Sequence, residues 1–286
     1  MTLMSGKTVV ITGGNAGIGR ASALALSRLG AHIVLACRNL QKGAEAQQAI
    51  QSSAGGTVDL VELDLADLDS VRAATRTLIE RYPNIDVLLN NAGLMLGDRT
   101  VTKQGYETVF ATNHLGPFLL THGLLGHLTG GGPVRIVNVA SAAHNFARSG
   151  IPFDDLQHER AKFAPLRVYG ISKLANILFT QELARRLAGT QATTNSLHPG
   201  FVRSGFARDD EVSRGFAVAM KIARPFGISI EKGARTSVYL ASSPEVATSS
   251  GQYFVNCKPK TPTAHARDSV QAQRLWEVSE ALCGIS

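Results

Sequence analysis

The sequence predicts an α/β protein: one doubly wound parallel sheet with helices packed on both faces. Three observations carry that expectation. Short, nearly continuous apolar runs recur along the chain, as strands buried on both faces require. Helical patterns of about 10–15 residues separate them, the spacing of βαβ units. No internal repeat and no linker-like stretch interrupts the alternation, so residues 1–286 are expected to form a single domain.

The elements follow in order. Thr8 to Ile11 is an apolar run that ends in Thr12-Gly13-Gly14, and a helical pattern runs from Ile18 to Leu29. Gly30 suits the C-cap of that helix. His32 to Cys37 predicts a second strand and Leu40 to Gln51 a polar helix. Val58 to Leu63 and Leu68 to Glu80 repeat the strand–helix pair, and Ile85 to Leu89 is a fourth strand. A long helix is predicted over Lys103 to Leu125, a fifth strand over Val134 to Val139, and a helix over Leu166 to Leu187. Thr193 to Leu197 is a sixth strand. Helices over Glu231 to Ala241 and Val270 to Leu282 flank a last strand, Tyr253 to Val255. Two irregular segments remain, Asn145 to Pro165 and Arg203 to Ile230; the second, residues 203–230, is expected to lie over a substrate pocket.

Composition narrows the function. At 44% hydrophobic and 18% charged, the chain can bury a full core, which excludes a disordered or fibrous protein. The three cysteines, Cys37, Cys257 and Cys283, lie far apart without a CxxC, against both disulfides and structural zinc. The eight histidines fall at no metal-ligand spacing with carboxylates or cysteines, so no metal is expected. The net charge is +7, yet there are no basic runs and no nucleic-acid module. No basic segment leading into an apolar one opens the chain, and no apolar run reaches the roughly 18 residues of a membrane span. A cytoplasmic protein is the expectation.

The chemistry gathers where strands end. The turn Thr12-Gly13-Gly14-Asn15-Ala16-Gly17-Ile18-Gly19 joins the first strand to the first helix. Its glycines let backbone approach a pyrophosphate, and the helix N-terminus favours the negative charge. An acid about 20 residues further on would hold a ribose 2′-hydroxyl; here stands Arg38, with Lys42 nearby. A guanidinium pairs with a 2′-phosphate that a carboxylate repels, so NADP(H) is preferred over NAD(H).

Tyr169 and Lys173 stand four apart on a predicted helix, so they share a face. Bringing a phenol from a pKa of about 10 towards 7 takes about 4 kcal/mol of preference for the phenolate. The lysine ammonium and a cationic nicotinamide could jointly supply that. Ser141 follows the fifth strand, where its hydroxyl could donate to a substrate oxygen. It sits in Val-Ala-Ser-Ala-Ala, not the GxSxG of a serine hydrolase. Asn90-Asn91-Ala92-Gly93 closes the fourth strand, Asn113 lies in the following helix, and His198-Pro199-Gly200-Phe201-Val202-Arg203-Ser204 follows the sixth strand. Phe146, Phe153, Phe163, Phe201 and Phe206 fall in the irregular segments and could shape an apolar pocket or simply pack them.

Together these motifs, in this order over residues 7 to 205, resemble the short-chain dehydrogenase/reductase family. The resemblance implies a Rossmann-type fold and a catalytic tetrad of Asn113, Ser141, Tyr169 and Lys173. Tyr169 would be the acid/base and Ser141 would orient the carbonyl. Lys173 would hold the ribose hydroxyls and make the phenol more acidic, and Asn113 would anchor a proton-relaying water. Gly13, Asn15, Gly17, Ile18 and Gly19 would cradle the cofactor, Asp64 and Leu65 border its adenine, and Asn91, Ala92 and Gly93 line its cleft. Pro199, Gly200, Val202 and Ser204 would meet the nicotinamide end.

The tyrosine helix, the long Ser141–Tyr169 insert, Ala36-Cys37-Arg38, and the tail with Cys257 and Trp276 look like the retinol dehydrogenase-like branch. That implies NADP(H) and apolar aldehydes, ketones or alcohols. The family resemblance also implies a homodimer or homotetramer. The alternative class is a non-catalytic NADP(H)-binding sensor or scaffold, whose sequence mark would be an incomplete tetrad.

Overall fold

The computed structural model describes residues 2–130, 132–202 and 227–285. Of the expected lid, 203–226 lie outside the described residues.

Strands β1 (Thr8–Thr12), β2 (His32–Cys37) and β3 (Val58–Glu62) alternate with helices α1 (Gly17–Arg28), α2 (Leu40–Ala54) and α3 (Leu68–Arg81). After β4 (Val87–Asn90) comes one continuous helix, α4. Its α-helical ends Thr108–Phe110 and Gly116–Thr129 are joined by a π-helical turn, Ala111–Leu115. Then follow β5 (Val134–Val139), α5 (Pro165–Arg186), β6 (Ala192–His198), α6 (Ile230–Ser242), β7 (Tyr253–Val255), β8 (Lys258–Pro259) and α7 (Ser269–Leu282).

The sheet order is β3-β2-β1-β4-β5-β6-β7-β8. Every pairing is parallel except the β7–β8 hairpin. The chain winds outwards from β1 in both directions, so the order reverses between β1 and β4. Crevices at such a switch point, beyond the carboxyl ends of the strands, are where open α/β sheets take ligands.

Side chains alternate across each strand and so feed two cores. Val10, Val34, Leu88 and Ile136 face α3, α4, α5 and α7. Val9, Ile11, Ile33, Leu35, Leu89 and Leu197 face α1, α2 and α6. Local caps set the helix starts: Asn39 accepts from the Lys42 N–H, Asp67 from Asp69, Ser229 from Lys232, and Asp268 from Val270 and Gln271. Helix α5 is buried nearly all round because the sheet covers one side and α7 the other. There Trp276 stacks on Phe179 at 5.9 Å and meets Phe118 edge-on at 5.0 Å, with the Arg186 guanidinium 4.2 Å over its ring.

Amides bridge the middle of the sheet. Asn90 Nδ2 donates to Asn138 Oδ1 at 2.8 Å and to Thr121 Oγ1 at 3.0 Å. Asn138 Nδ2 in turn donates to Thr180 and Thr194. All five are buried.

Three expectations need correction. The helix predicted from Lys103 starts at Thr108: Gly105 has φ +83°, a bridge pairs Val101 with Glu107, and the buried Glu107 carboxylate caps the helix through the Val109 and Phe110 N–H groups. Asn113 lies in a π turn rather than a regular α-helix. The tail has an extra strand, β8, reached through Asn256 and Cys257, both at positive φ as a tight hairpin needs.

Candidate active site

The glycine turn is built for close approach. Gly13 has φ +65° and donates its N–H to the Ala36 carbonyl at 2.8 Å. A Cβ there would sit 3.0 Å from that of Ala92. A Cβ on Gly19 would run into the Gly13 carbonyl oxygen and stand 2.6 Å from Asn91 Nδ2. Ala16 gives α1 no side-chain cap, and no acid stands in its first turn. Asn15 and Ile18 flank this turn, half-buried. The turn is locked to the NNAG string by Thr12, whose Oγ1 accepts from the N–H groups of Asn91 and Ala92 at 3.0 Å each; Asn91 Nδ2 returns a bond to the Thr12 carbonyl.

Gly19→Ala is therefore expected to push α1 off the turn. Affinity for a dinucleotide, read by fluorescence titration, should fall about tenfold, with a stability loss of about 1–3 kcal/mol from overpacking. Unchanged affinity and melting temperature would rule out the close approach.

At the far end of the crevice, Arg38 is 73% exposed and its guanidinium lies 3.9 Å from the Asp64 carboxylate. Lys42 is exposed one turn into α2. Asp64 also accepts from the Ala66 N–H at 2.9 Å. The Leu65 side chain is buried beneath Gly116, so only its backbone can border the crevice.

The four residues of the expected tetrad form a chain of contacts that starts at Gly93. A Cβ on Gly93 would be 3.1 Å from Asn113 Oδ1 and 3.2 Å from Lys173 Nζ. Asn113 is fully buried; its Oδ1 accepts from the Leu94 N–H at 2.8 Å, and its Nδ2 donates to the Leu94 carbonyl and to Ser172 Oγ, both at 2.9 Å. Ser172 passes its own proton back to the Tyr169 carbonyl at 2.8 Å. Lys173 is 2% exposed, donates to the Val139 carbonyl at 3.0 Å, and lies 5.5 Å over the centroid of the Tyr169 ring. Ser141 caps the 3-10 turn Ala142–Phe146 by accepting from the Ala143 N–H at 3.1 Å, and its hydroxyl bonds the Tyr169 phenol.

Burial pushes the Tyr169 phenol well above its ordinary pKa, the opposite of the expected acidification, and the Ser141 hydrogen bond offsets only part of that rise. Burial lowers Lys173 to about 8. A protonated phenol thus sits beside an amine that can exchange protons near neutrality.

Beyond β6, Gly200 is at φ +92° and a Cβ on it would press on Ile228. Pro199 precedes it, half-buried. Val202 bridges to Ile228 and its side chain packs against Gly233. Ser204 and Phe206 lie outside the described residues. Phe146 and Phe201 are 47% and 44% exposed, whereas Phe153 packs on the core beneath the Arg274 guanidinium. Among the described residues no group of three or more His, Cys, Asp or Glu could hold a metal ion, and no helix is long and apolar enough to cross a membrane.

A family model for short chain dehydrogenases matches residues 7–153. The chain belongs to the short chain dehydrogenase family. It is 43% identical to retinol dehydrogenase 14 of Homo sapiens, covering 99% of this chain and 88% of that one. It is equally 43% identical to retinol dehydrogenase 12 of Bos taurus, over 98% and 87%. Among solved structures, a Mycobacterium Paratuberculosis protein matches with a TM-score of 0.78 and 34% identity over 98% of this chain and 94% of that one. A Beutenbergia cavernae protein whose crystal structure holds NADP at low occupancy matches with 0.70 and 26% over 90% and 97%.

One residue of the candidate site escapes sequence reading. Ser172 accepts from Asn113 Nδ2 and donates to the Tyr169 carbonyl, yet carries no signal beyond its place beside Lys173. Thr12 shows in the sequence only as the first residue of the glycine turn; its bonds to the Asn91 and Ala92 N–H groups do not.

Proposed function

We propose that the protein is an NADP(H)-dependent oxidoreductase that interconverts apolar aldehydes or ketones and alcohols. One observation carries this: Asn113 and Lys173 flank Gly93, Lys173 lies over the Tyr169 ring and the phenol bonds Ser141, at the same strand ends as the glycine turn. The cofactor fits the residues present, since Gly13, Gly17 and Gly19 make a turn of bare backbone, packed tightly on Ala92 and Asn91, that leads into the uncapped N-terminus of α1, where a dinucleotide's pyrophosphate would approach.

Gly13, Asn15, Gly17, Ile18 and Gly19 would hold the pyrophosphate and Arg38 the 2′-phosphate. Asp64 and the Leu65 backbone would border the adenine, with Asn91, Ala92 and Gly93 along the cleft. Tyr169 and Lys173 would take the ribose; Pro199, Gly200, Val202 and Ser204 would take the nicotinamide end. When bound, NADP(H) supplies hydride exchange with the carbonyl carbon.

The chain's own residues handle the proton and the position. In reduction the Tyr169 phenol gives its proton to the carbonyl oxygen; in alcohol oxidation the phenolate takes one. The Ser141 oxygen already accepts from Ala143, so its O–H is free to donate to the substrate oxygen or the phenol. Lys173, with its lowered pKa, restores the proton to Tyr169. Asn113 braces the Leu94 backbone against α5 through Ser172, and would anchor the water of the relay. The exposed Phe146 and Phe201 and the retinol dehydrogenase relatives support an apolar substrate. Family resemblance supports a dimer or tetramer.

Loss of NADPH absorbance with a panel of aldehydes and ketones is the direct test; no turnover on any of them would overturn the reading. Arg38→Asp is expected to raise the NADPH dissociation constant at least about tenfold, one lost charge-assisted contact, while sparing NADH. Equal weakening of both cofactors would remove Arg38 from the phosphate.

A further inference from the structure

His144 lies in the 3-10 turn after Ser141, 3% exposed. Its Nδ1 is 2.7 Å from the Ser141 carbonyl oxygen and its Nε2 is 3.4 Å from the Thr263 backbone nitrogen. A carbonyl oxygen only accepts, so Nδ1 must donate. A backbone N–H only donates, so Nε2 must accept. The neutral Nδ1–H tautomer alone satisfies both; an imidazolium would set donor against donor at Thr263.

The surroundings favour that form. The Tyr253 ring on β7 walls the imidazole edge-on at 5.3 Å. Burial, and the nearby Lys260 ammonium, keep an extra proton off His144. His198 at the end of β6, the other imidazole of this cluster, is itself held neutral, down to about 4, mainly by burial. Gly170 of α5 packs against the Ala143 carbonyl from the other side, where a Cβ would be only 2.6 Å away. The turn behind the serine is thus clamped between α5 and the tail, and His144 is its polar link to the tail.

We propose that His144 is a positioning residue for Ser141: as the neutral Nδ1–H tautomer it ties the serine's backbone to Thr263 and so aims the hydroxyl at the substrate oxygen. This role rests on the reductase reading of Ser141, whereas the tie itself does not.

His144→Phe keeps a ring against Tyr253 and removes both hydrogen bonds. It is expected to lower kcat about tenfold, with KM and NADPH affinity within about twofold, as a misaimed group does. His144→Asn, whose amide N–H can replace the Nδ1 donor, should recover most of the loss. Thr263→Pro removes the other donor with His144 intact; it should lower kcat about threefold and add nothing to His144→Phe. Side-chain nitrogen chemical shifts of the wild type should report the Nδ1–H tautomer at pH 7. An Nε2–H or charged His144, an unchanged kcat in both His144→Phe and Thr263→Pro, or kcat losses matched by lost NADPH affinity would each overturn the proposal. If His144→Phe fails to fold, Thr263→Pro and the tautomer signal decide. A wild type that turns over no carbonyl overturns the reductase reading instead, and the tautomer signal then decides the tie alone.

Discussion

Tyr169→Phe is expected to lower kcat/KM for carbonyl reduction by about 10²–10⁴-fold, the usual worth of a positioned acid. The substitution removes one oxygen. The ring stays on α5 beneath the Lys173 ammonium, and the Ser172 bond to the Tyr169 carbonyl is a backbone contact that survives. NADPH affinity should therefore change little beyond the lost ribose contact, and the melting temperature should hold or rise. Steady-state assays with fluorescence titration of NADPH separate these effects. A variant that reduces carbonyls at near wild-type rate would take the proton-transfer role away from this residue.

The direction of the phenol's shift adds a pH signature. Burial keeps Tyr169 protonated at neutrality. Reduction needs the protonated form and should fade as pH rises, while alcohol oxidation needs the phenolate and should grow. Parallel profiles in both directions would contradict that assignment.

Lys173→Met is expected to cut turnover about a hundredfold or more while making the protein more stable. The ammonium is buried, with the Val139 carbonyl as its hydrogen-bond acceptor, and its pKa is lowered from 10.5 to about 8. The unfolded chain therefore binds more protons between those values, so wild-type stability rises with pH from about 8 to 10.5. Below about pH 8 the full burial penalty stands. Removing the charge should stabilise the fold at pH 7 on the order of 1 kcal/mol, the lost Val139 bond offsetting part of the gain. The advantage should shrink above pH 8. A destabilised variant with the same pH dependence as wild type would show that Lys173 stays solvated and charged in the fold.

The parts of this molecule that can be read from its sequence are those set by local pattern. The β1–β6 alternation shows because each strand is a buried apolar run and each helix an amphipathic or capped one, except α5, which is buried nearly all round and is marked instead by its length and by Pro165 at its start. The glycine turn, Ser141 and the Tyr169–Lys173 pair show because each lies at a strand end or one helical turn apart. The remainder depends on contacts that the order of residues does not display. Lys103 to Glu107 has helix-compatible composition, yet Gly105 at positive φ and the Glu107 cap move the start to Thr108. The π turn at Asn113 needs one widened turn, which apolar periodicity does not reveal. Strand β8 is two exposed residues with no apolar signal. The Leu65 side chain is buried beneath Gly116, a long-range contact that local pattern does not display.

The amide pair Asn90–Asn138 has a consequence for fidelity of assembly. Apolar runs such as Val-Leu-Leu and Ile-Val can slide past one another with little loss of greasy contact. A slip by one residue, however, would strand both amides against aliphatic neighbours with their hydrogen bonds unmade, at about 1–3 kcal/mol each. The pair acts as a notch between the two central strands. The loops that leave those strands hold Gly93 and Ser141, so the same notch keeps the two halves of the proposed reaction centre in phase from the moment the sheet closes.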